Sequence, residues 1–178
     1  MIEKQITIDN INDVQIKKLY ETAFPVEEQI PWAELIKLIE PMKLDFKAYY
    51  TNNQFIGFTV VYPRKSFNWF WYFAVCEDNR GKGLGTQILS RIKEKYNSNS
   101  IILDIESPTQ ICSNTEQRIR RYNFYLRNSF HDTGVGRSFD GIDYTILLHG
   151  NTHFTISNYD EIIDELRYFW NKMPQPNK

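Results

Sequence analysis

Cysteine is nearly missing from this chain: Cys76 and Cys112 are the two, in no metal-ligand spacing and too few for a disulfide framework. Histidine is as sparse, and His131, His149 and His153 form no H-x-x-x-H pair, so a metal-free, disulfide-free protein is expected. Charge of one sign is missing too, with Lys+Arg 21 against Asp+Glu 22 and a net charge of −1. Such a chain has no electrostatic case for general binding to nucleic acid or an anionic membrane, although local basic patches are left open. No apolar run reaches the length of a membrane span, and Met1-Ile2-Glu3-Lys4 lacks a signal-peptide pattern. The default location is cytoplasmic.

Aromatic residues, by contrast, are abundant at 15%. Large flat apolar surfaces are therefore expected in the core or in a cleft. The chain of 178 residues suits one domain, with no internal repeat and no long linker. It divides into a main unit, residues 1–149, and a helical extension, 150–178, packing on the same domain.

The spacing predicts a strand over Lys4–Ile8, then a helix capped by Asp9 or Asn10 and running to Thr22. A second helix is expected over Pro31–Ile39, stopped by Pro41. Strands Phe46–Thr51 and Gln54–Val61 flank Asn52-Asn53, a tight-turn pair, and the aromatic strand Asn68–Val75 continues the meander. Leu84, Ile88, Leu89, Ile92 and Tyr96 recur at helical spacing. A strand Ile101–Ile105, a cation-rich helix Thr115–Arg127, and strands Thr133–Phe139 and Ile142–Leu148 around Asp140-Gly141 follow. A terminal amphipathic helix covers Asn158–Lys172, and Met173–Lys178 should fray. This order describes one α/β domain with a mixed sheet.

The most informative stretch is Arg80-Gly81-Lys82-Gly83-Leu84-Gly85-Thr86, where a strand turns into a helix. The first helical turn has N–H groups without intrahelical partners and the positive end of the macrodipole. Alternate glycines remove side chains that would keep a phosphate from those donors, while Arg80, Lys82 and the Thr86 hydroxyl add to them. A pocket for phosphate or pyrophosphate is the inference. The stretch matches neither G-x-G-x-x-G nor G-x-x-x-x-G-K-[ST].

Its pattern, R-x-x-G-x-G, resembles the acyl-CoA pyrophosphate loop of the GNAT superfamily of N-acyltransferases. Two more stretches carry the resemblance: Leu103-Asp104-Ile105-Glu106 resembles that family's fifth strand, and Arg120 to Phe130 resembles its R-R-x-x-F-Y-x-R-x-G-F helix and exit, with Ser129 where glycine is usual. The resemblance covers roughly Gln5 to His149. It implies a mixed, twisted sheet flanked by helices, with central parallel strands that splay to admit the pantetheine arm of acetyl-CoA. It further implies cofactor contacts from Ala74, Val75, Arg80, Gly81, Lys82, Gly83, Leu84, Gly85 and Thr86, with the Val75 N–H helping to polarise the thioester carbonyl.

On the same resemblance the activity is direct transfer of an acetyl group to a primary amine, on a small molecule or a peptide, with Tyr125 as general acid toward the departing thiolate. A general base is harder to assign. Trp69, Trp71 and Phe73 occupy the alternating strand positions where some members carry Glu or His. Glu106 is the first substitute. Glu28 is the second, because residues 24–31 resemble an F-P-x-E-E/R-x-P stretch near the acceptor cleft. Cys76 reads as a small buried residue rather than an acyl carrier, and Trp69, Trp71 and Tyr72 as core or acceptor-pocket walls. Arg118, Arg120, Arg121 and Arg127 read as a solvated face, as does the acidic run 160–165. Phe169 and Trp170 offer a surface for a homodimer if exposed. The alternative is a non-catalytic acyl-CoA-binding sensor on the same fold. The acceptor itself has no readable code.

Overall fold

Turn chemistry sets the sheet. The structure, a computed structural model, describes residues 1–11 and 13–172; the tail Met173–Lys178 lies outside the described residues. Strands β1 (Ile2–Gln5), β2 (Asp45–Thr51), β3 (Gln54–Tyr62) and β4 (Phe67–Val75) form an antiparallel meander. Asn52 and Asn53 take φ of 51° and 60° between β2 and β3, the left-handed pair that a two-residue hairpin requires. Strands β5 (Ser100–Glu106), β6 (His131–Phe139) and β7 (Ile142–His149) complete the sheet, with Asp140 and Gly141 at φ of 50° and 76° in the second hairpin. The order is β1-β2-β3-β4-β5-β7-β6, and among the described residues the β4–β5 pair alone is parallel.

Five α-helices among the described residues cover the two faces. Helices α1 (Val14–Ala23), α2 (Trp32–Leu38) and α5 (Ile156–Lys172) bury Ile16, Tyr20, Leu35, Leu38, Tyr159 and Ile162 against one side. Helices α3 (Leu84–Lys95) and α4 (Thr115–Arg127) bury Leu89, Ile92 and Tyr125 against the other, over Phe70, Leu103 and Leu147. Phe169 and Trp170 are half-buried against the first face, and Tyr168 is the exposed aromatic of α5. The acidic run on α5 is also partly engaged: Glu165 accepts hydrogen bonds from Arg64 at 2.6 and 2.9 Å and from the Tyr62 hydroxyl at 2.8 Å.

The N-terminus differs most from the sequence expectation. β1 ends at Gln5, and Asp13 rather than Asp9 or Asn10 caps α1, its carboxylate accepting from the Gln15 N–H at 2.9 Å. Asn10 instead closes a turn, accepting from the Thr7 N–H and donating to the Gln5 carbonyl. Starting at Val14 puts Ile16, Leu19 and Tyr20 on the core face, so burial selected among three competing caps. Asp13 also accepts from the Tyr50 hydroxyl at 3.3 Å. Asp13→Ala is expected to cost about 1–2 kcal/mol, read as a lower urea midpoint at unchanged slope.

Two irregularities position the functional site. β4 and β5 pair only at Phe67↔Ser100, Asn68↔Ile101 and Trp69↔Ile102, although β4 stays with β3 to Val75 and β5 stays with β7 to Glu106. The parallel strands therefore splay, as the resemblance implies. The second irregularity is a bulge in β4. Val60 faces Tyr72 and Val61 faces Phe70, which leaves Trp71 opposite no residue. Past a bulge every side chain changes face. Trp69, Tyr72 and Ala74 share the α1–α5 face, whereas Phe73 turns to Phe70 and Phe124 on the other. The simple alternation Trp69–Trp71–Phe73 does not hold.

Candidate functional site

A short 3-10 turn, Glu77–Asn79, leads from β4 into the glycine loop, and the Arg80 Nε donates to the Val75 carbonyl at 3.2 Å. Gly81 and Gly83 have φ of 72° and 75°, a left-handed conformation that L side chains rarely adopt, and a Cβ at either would meet nothing within 4 Å. Gly83 caps α3, whose first backbone bond runs from the Gln87 N–H to the Gly83 carbonyl. The N–H groups of Leu84, Gly85 and Thr86 have no acceptor among the described residues. Gly85 acts through packing instead. Its Cβ would sit 3.3 Å from the Phe124 ring, so glycine there lets α3 approach α4. Arg80 and Lys82 are exposed at the rim. Open backbone, free donors and flanking cations fit a pyrophosphate.

The loop leads into the splay. The Cys76 N–H bonds to the Ile56 carbonyl on β3, so strand alternation turns the Val75 N–H toward the side from which β5 has departed. Gly57, across from Val75, is obligatory for the close strand approach, since a Cβ would lie 2.3 Å from the Ala74 carbonyl oxygen. An extended chain laid along this side of β4 finds unpaired peptide groups, as an added strand would.

A cavity of about 420 Å³ opens where the two strands part, bounded by residues from β4, β5, the β6–β7 hairpin, α5 and the segment after α1. That segment is pinned in place. The Tyr72 hydroxyl donates to the Glu28 carbonyl at 2.8 Å, Tyr20 donates to the Ile30 carbonyl at 2.9 Å, and Gln29 donates to the Glu21 and Phe24 carbonyls. A 3-10 turn over Val26–Glu28 then aims Glu28 inward. Its Oε1 is buried without a hydrogen-bond partner among the described residues. Burial pushes the Glu28 carboxyl up to about 7, helped by the negative charges of Glu106 and Asp104 and opposed by Arg121 and the Tyr144 hydroxyl.

The other carboxylates of the region are occupied. Glu106, 2% exposed, meets Arg118 at 2.7 Å through Oε1 and Arg121 at 3.2 Å through Oε2. Arg118 and Arg121 thus point inward, and the solvated-face reading holds for Arg120, exposed beside Glu116. Asp104 accepts from the Trp69 indole at 3.0 Å, Arg137 at 3.0 Å and the Tyr159 hydroxyl at 2.9 Å. Asp104, Arg137, Tyr144 and Tyr159 were not singled out from sequence. A lone Asp within the apolar run 101–105 was the signal for the first.

Tyr125 lies on α4 with its ring among Phe124 and Phe130 and lines the same cavity. Burial pushes its phenol up to about 12, with Arg121 pulling the other way. It is therefore protonated at neutral pH. After α4, Ser129 takes φ of 67°, which accounts for glycine being usual at that exit.

The acetyltransferase (GNAT) domain model matches residues 45–137, just over half of the chain. No curated protein matches in sequence. Among solved structures, a GNAT-family acetyltransferase assigned in Bacteroides thetaiotaomicron superposes with a TM-score of 0.74 at 22% identity, over 94% of this chain and 96% of that one. The aminoglycoside 6'-N-acetyltransferase of Enterococcus faecium gives 0.63 at 17% identity, over 87% and 98%. An aminoglycoside 6'-N-acetyltransferase complexed with coenzyme A gives 0.62 at 16% identity, also over 87% and 98%. These distant likenesses share the fold; the domain match extends from β2 through the glycine loop and α4 into β6, and on it the chain belongs to the GNAT family of acetyltransferases.

Proposed function

We propose that the protein is an acetyl-CoA-dependent N-acetyltransferase that moves an acetyl group directly to a primary amine. One observation carries this reading: the opened β4–β5 pair and the partly unpartnered Glu28 carboxylate meet in one cavity. Acetyl-CoA, when bound, supplies an activated acyl thioester. The N–H groups of Leu84, Gly85 and Thr86, with Arg80 and Lys82, hold its pyrophosphate, and Gly81 and Gly83 keep that backbone open. Ala74 and Val75 receive the pantetheine arm, and the Val75 N–H polarises the thioester carbonyl.

An alkyl ammonium has a pKa near 10 and must lose a proton before it can attack a carbonyl. Glu28, raised to about 7, is suited to accept that proton near neutral pH. Glu106 is held by two guanidinium groups and serves as a positioning residue, fixing Arg121 and adding to the field that raises Glu28. Tyr125 donates a hydrogen bond toward the leaving thiolate. A phenol raised to about 12 is a weak acid, so its contribution is moderate. Tyr125→Phe should lower kcat about 10-fold and leave acetyl-CoA affinity unchanged, as thiol-release assays and calorimetry would read.

The test is release of free CoA thiol from acetyl-CoA in the presence of a panel of primary amines. Amine-dependent release supports the reading. Acetyl-CoA binding with no release for any amine overturns it in favour of a non-catalytic acyl-CoA sensor.

A further inference from the structure

Resting on that reading, we infer that the acceptor is an aromatic monoamine, a single primary amine on a flat apolar body, and not a polycation. The first reason is the count of carboxylates able to meet positive charge. Asp104 accepts three hydrogen bonds, including one from Arg137, and Glu106 is neutralised by Arg118 and Arg121. Glu28 is left as the inward carboxylate with an unpartnered oxygen, and Glu27 stands exposed at the mouth. Arg121 and Arg137 line the same cavity with their charges matched by Glu106 and Asp104, so these pairs leave no surplus negative charge for a second ammonium. One buried carboxylate serves one ammonium.

The second reason is the wall. Trp69 and Trp71 stack at 4.5 Å with planes 20° apart, and Trp71 continues onto Tyr72 at 5.2 Å and 20°. The β4 bulge places Trp71 at the cavity and leaves it half-buried, so a guest ring can pack against the part of Trp71 that its stacked neighbours leave uncovered. Next to this wall the Arg137 guanidinium lies over the Tyr144 and Tyr159 rings at 4.8 and 4.7 Å, and Tyr159 meets Trp69 edge-on at 6.4 Å. Phe139, 57% exposed at the hairpin tip, adds an apolar rim. A hydrophilic polyamine or aminosugar would strip polar groups of water against these rings without replacing the lost hydrogen bonds.

The experiment compares tryptamine and 2-phenylethylamine with spermidine and kanamycin, using the full chain and acetyl-CoA. Thiol release is expected with kcat/KM at least about 100-fold higher for the aromatic monoamines. Calorimetric binding to the protein saturated with CoA gives a readout independent of turnover. Tryptamine should bind at least about tenfold tighter than spermidine, with the preference lost in Trp71→Ala and restored in Trp71→Phe. Preference for spermidine or kanamycin, or equal use of all four, overturns the inference. Tight tryptamine binding without thiol release from any amine upholds the ligand class while sinking the transferase reading. Absence of tryptamine binding to a protein that acetylates other amines sinks the ligand class alone.

Discussion

Glu28→Gln is expected to lower kcat/KM by about 10²- to 10³-fold at pH 7 to 8, the range that a positioned general base contributes. In the wild type the acid limb of the rate profile should follow the carboxyl and rise through about pH 7. In the variant that limb should disappear. The same residue gives a stability signature of defined sign. Its folded pKa is raised from the ordinary 4.5 to about 7, so the folded state binds the proton more tightly than the unfolded state. The native protein is penalised once pH exceeds 4.5, and the penalty is complete above 7. Gln carries no such penalty, so the variant should be more stable than the wild type by roughly 1–3 kcal/mol at pH 8, with the gain fading toward pH 4.5. Urea midpoints at the two pH values would read it. A slower but more stable variant is characteristic of a base held in a desolvated site. Loss of both activity and stability would instead mark Glu28 as a structural group.

Gly83→Glu should weaken acetyl-CoA binding by at least about 100-fold. The carboxylate would project from the cap of α3 toward the free N–H groups of Leu84, Gly85 and Thr86, competing with a phosphate and repelling it. Space is no obstacle to the side chain, since nothing lies within 4 Å of a Cβ there. The backbone is the cost: φ of 75° adds about 1–2 kcal/mol of strain in a non-glycine residue. The folded variant can therefore be compared directly. Acetyl-CoA at 100 times its wild-type Kd should stabilise the wild type by about 2.7 kcal/mol, seen as a higher Tm, and the same concentration should stabilise the variant by no more than about 0.4 kcal/mol. An equal shift in both would remove the loop from the binding site.

Local chemistry was the legible part of this chain. Asn52-Asn53 and Asp140-Gly141 dictate their hairpins because positive φ is tolerated there by few residues. Thr115–Arg127 matches α4, and the glycine loop falls at the strand-to-helix junction as its pattern requires. What sequence did not disclose depends on long-range packing. Asp9, Asn10 and Asp13 are equivalent as caps until the burial of Ile16 and Tyr20 selects one. The bulge at Trp71 arises from the β3–β4 register, and no turn residue announces it. Arg118 and Arg121 read as solvent-facing from composition, yet Glu106 on the facing strand draws both inward. Glu28 was legible as the second candidate base, through the likeness of residues 24–31 to an F-P-x-E-E/R-x-P stretch, but its environment was not. Its burial follows from the Tyr72 and Tyr20 hydroxyls, which hold the backbone of residues 28–30 from a distant strand and from α1, and no local motif encodes those contacts.

A crystal structure with CoA tests the central claim most directly. The pyrophosphate should sit on the N–H groups of Leu84 to Thr86, and the pantetheine arm should run beside Val75 in the β4–β5 opening. The thiol should then emerge into the cavity within about 3.5 Å of the Tyr125 hydroxyl, facing Glu28. A CoA whose thiol leaves the protein elsewhere, with the opening between β4 and β5 unfilled, would contradict it.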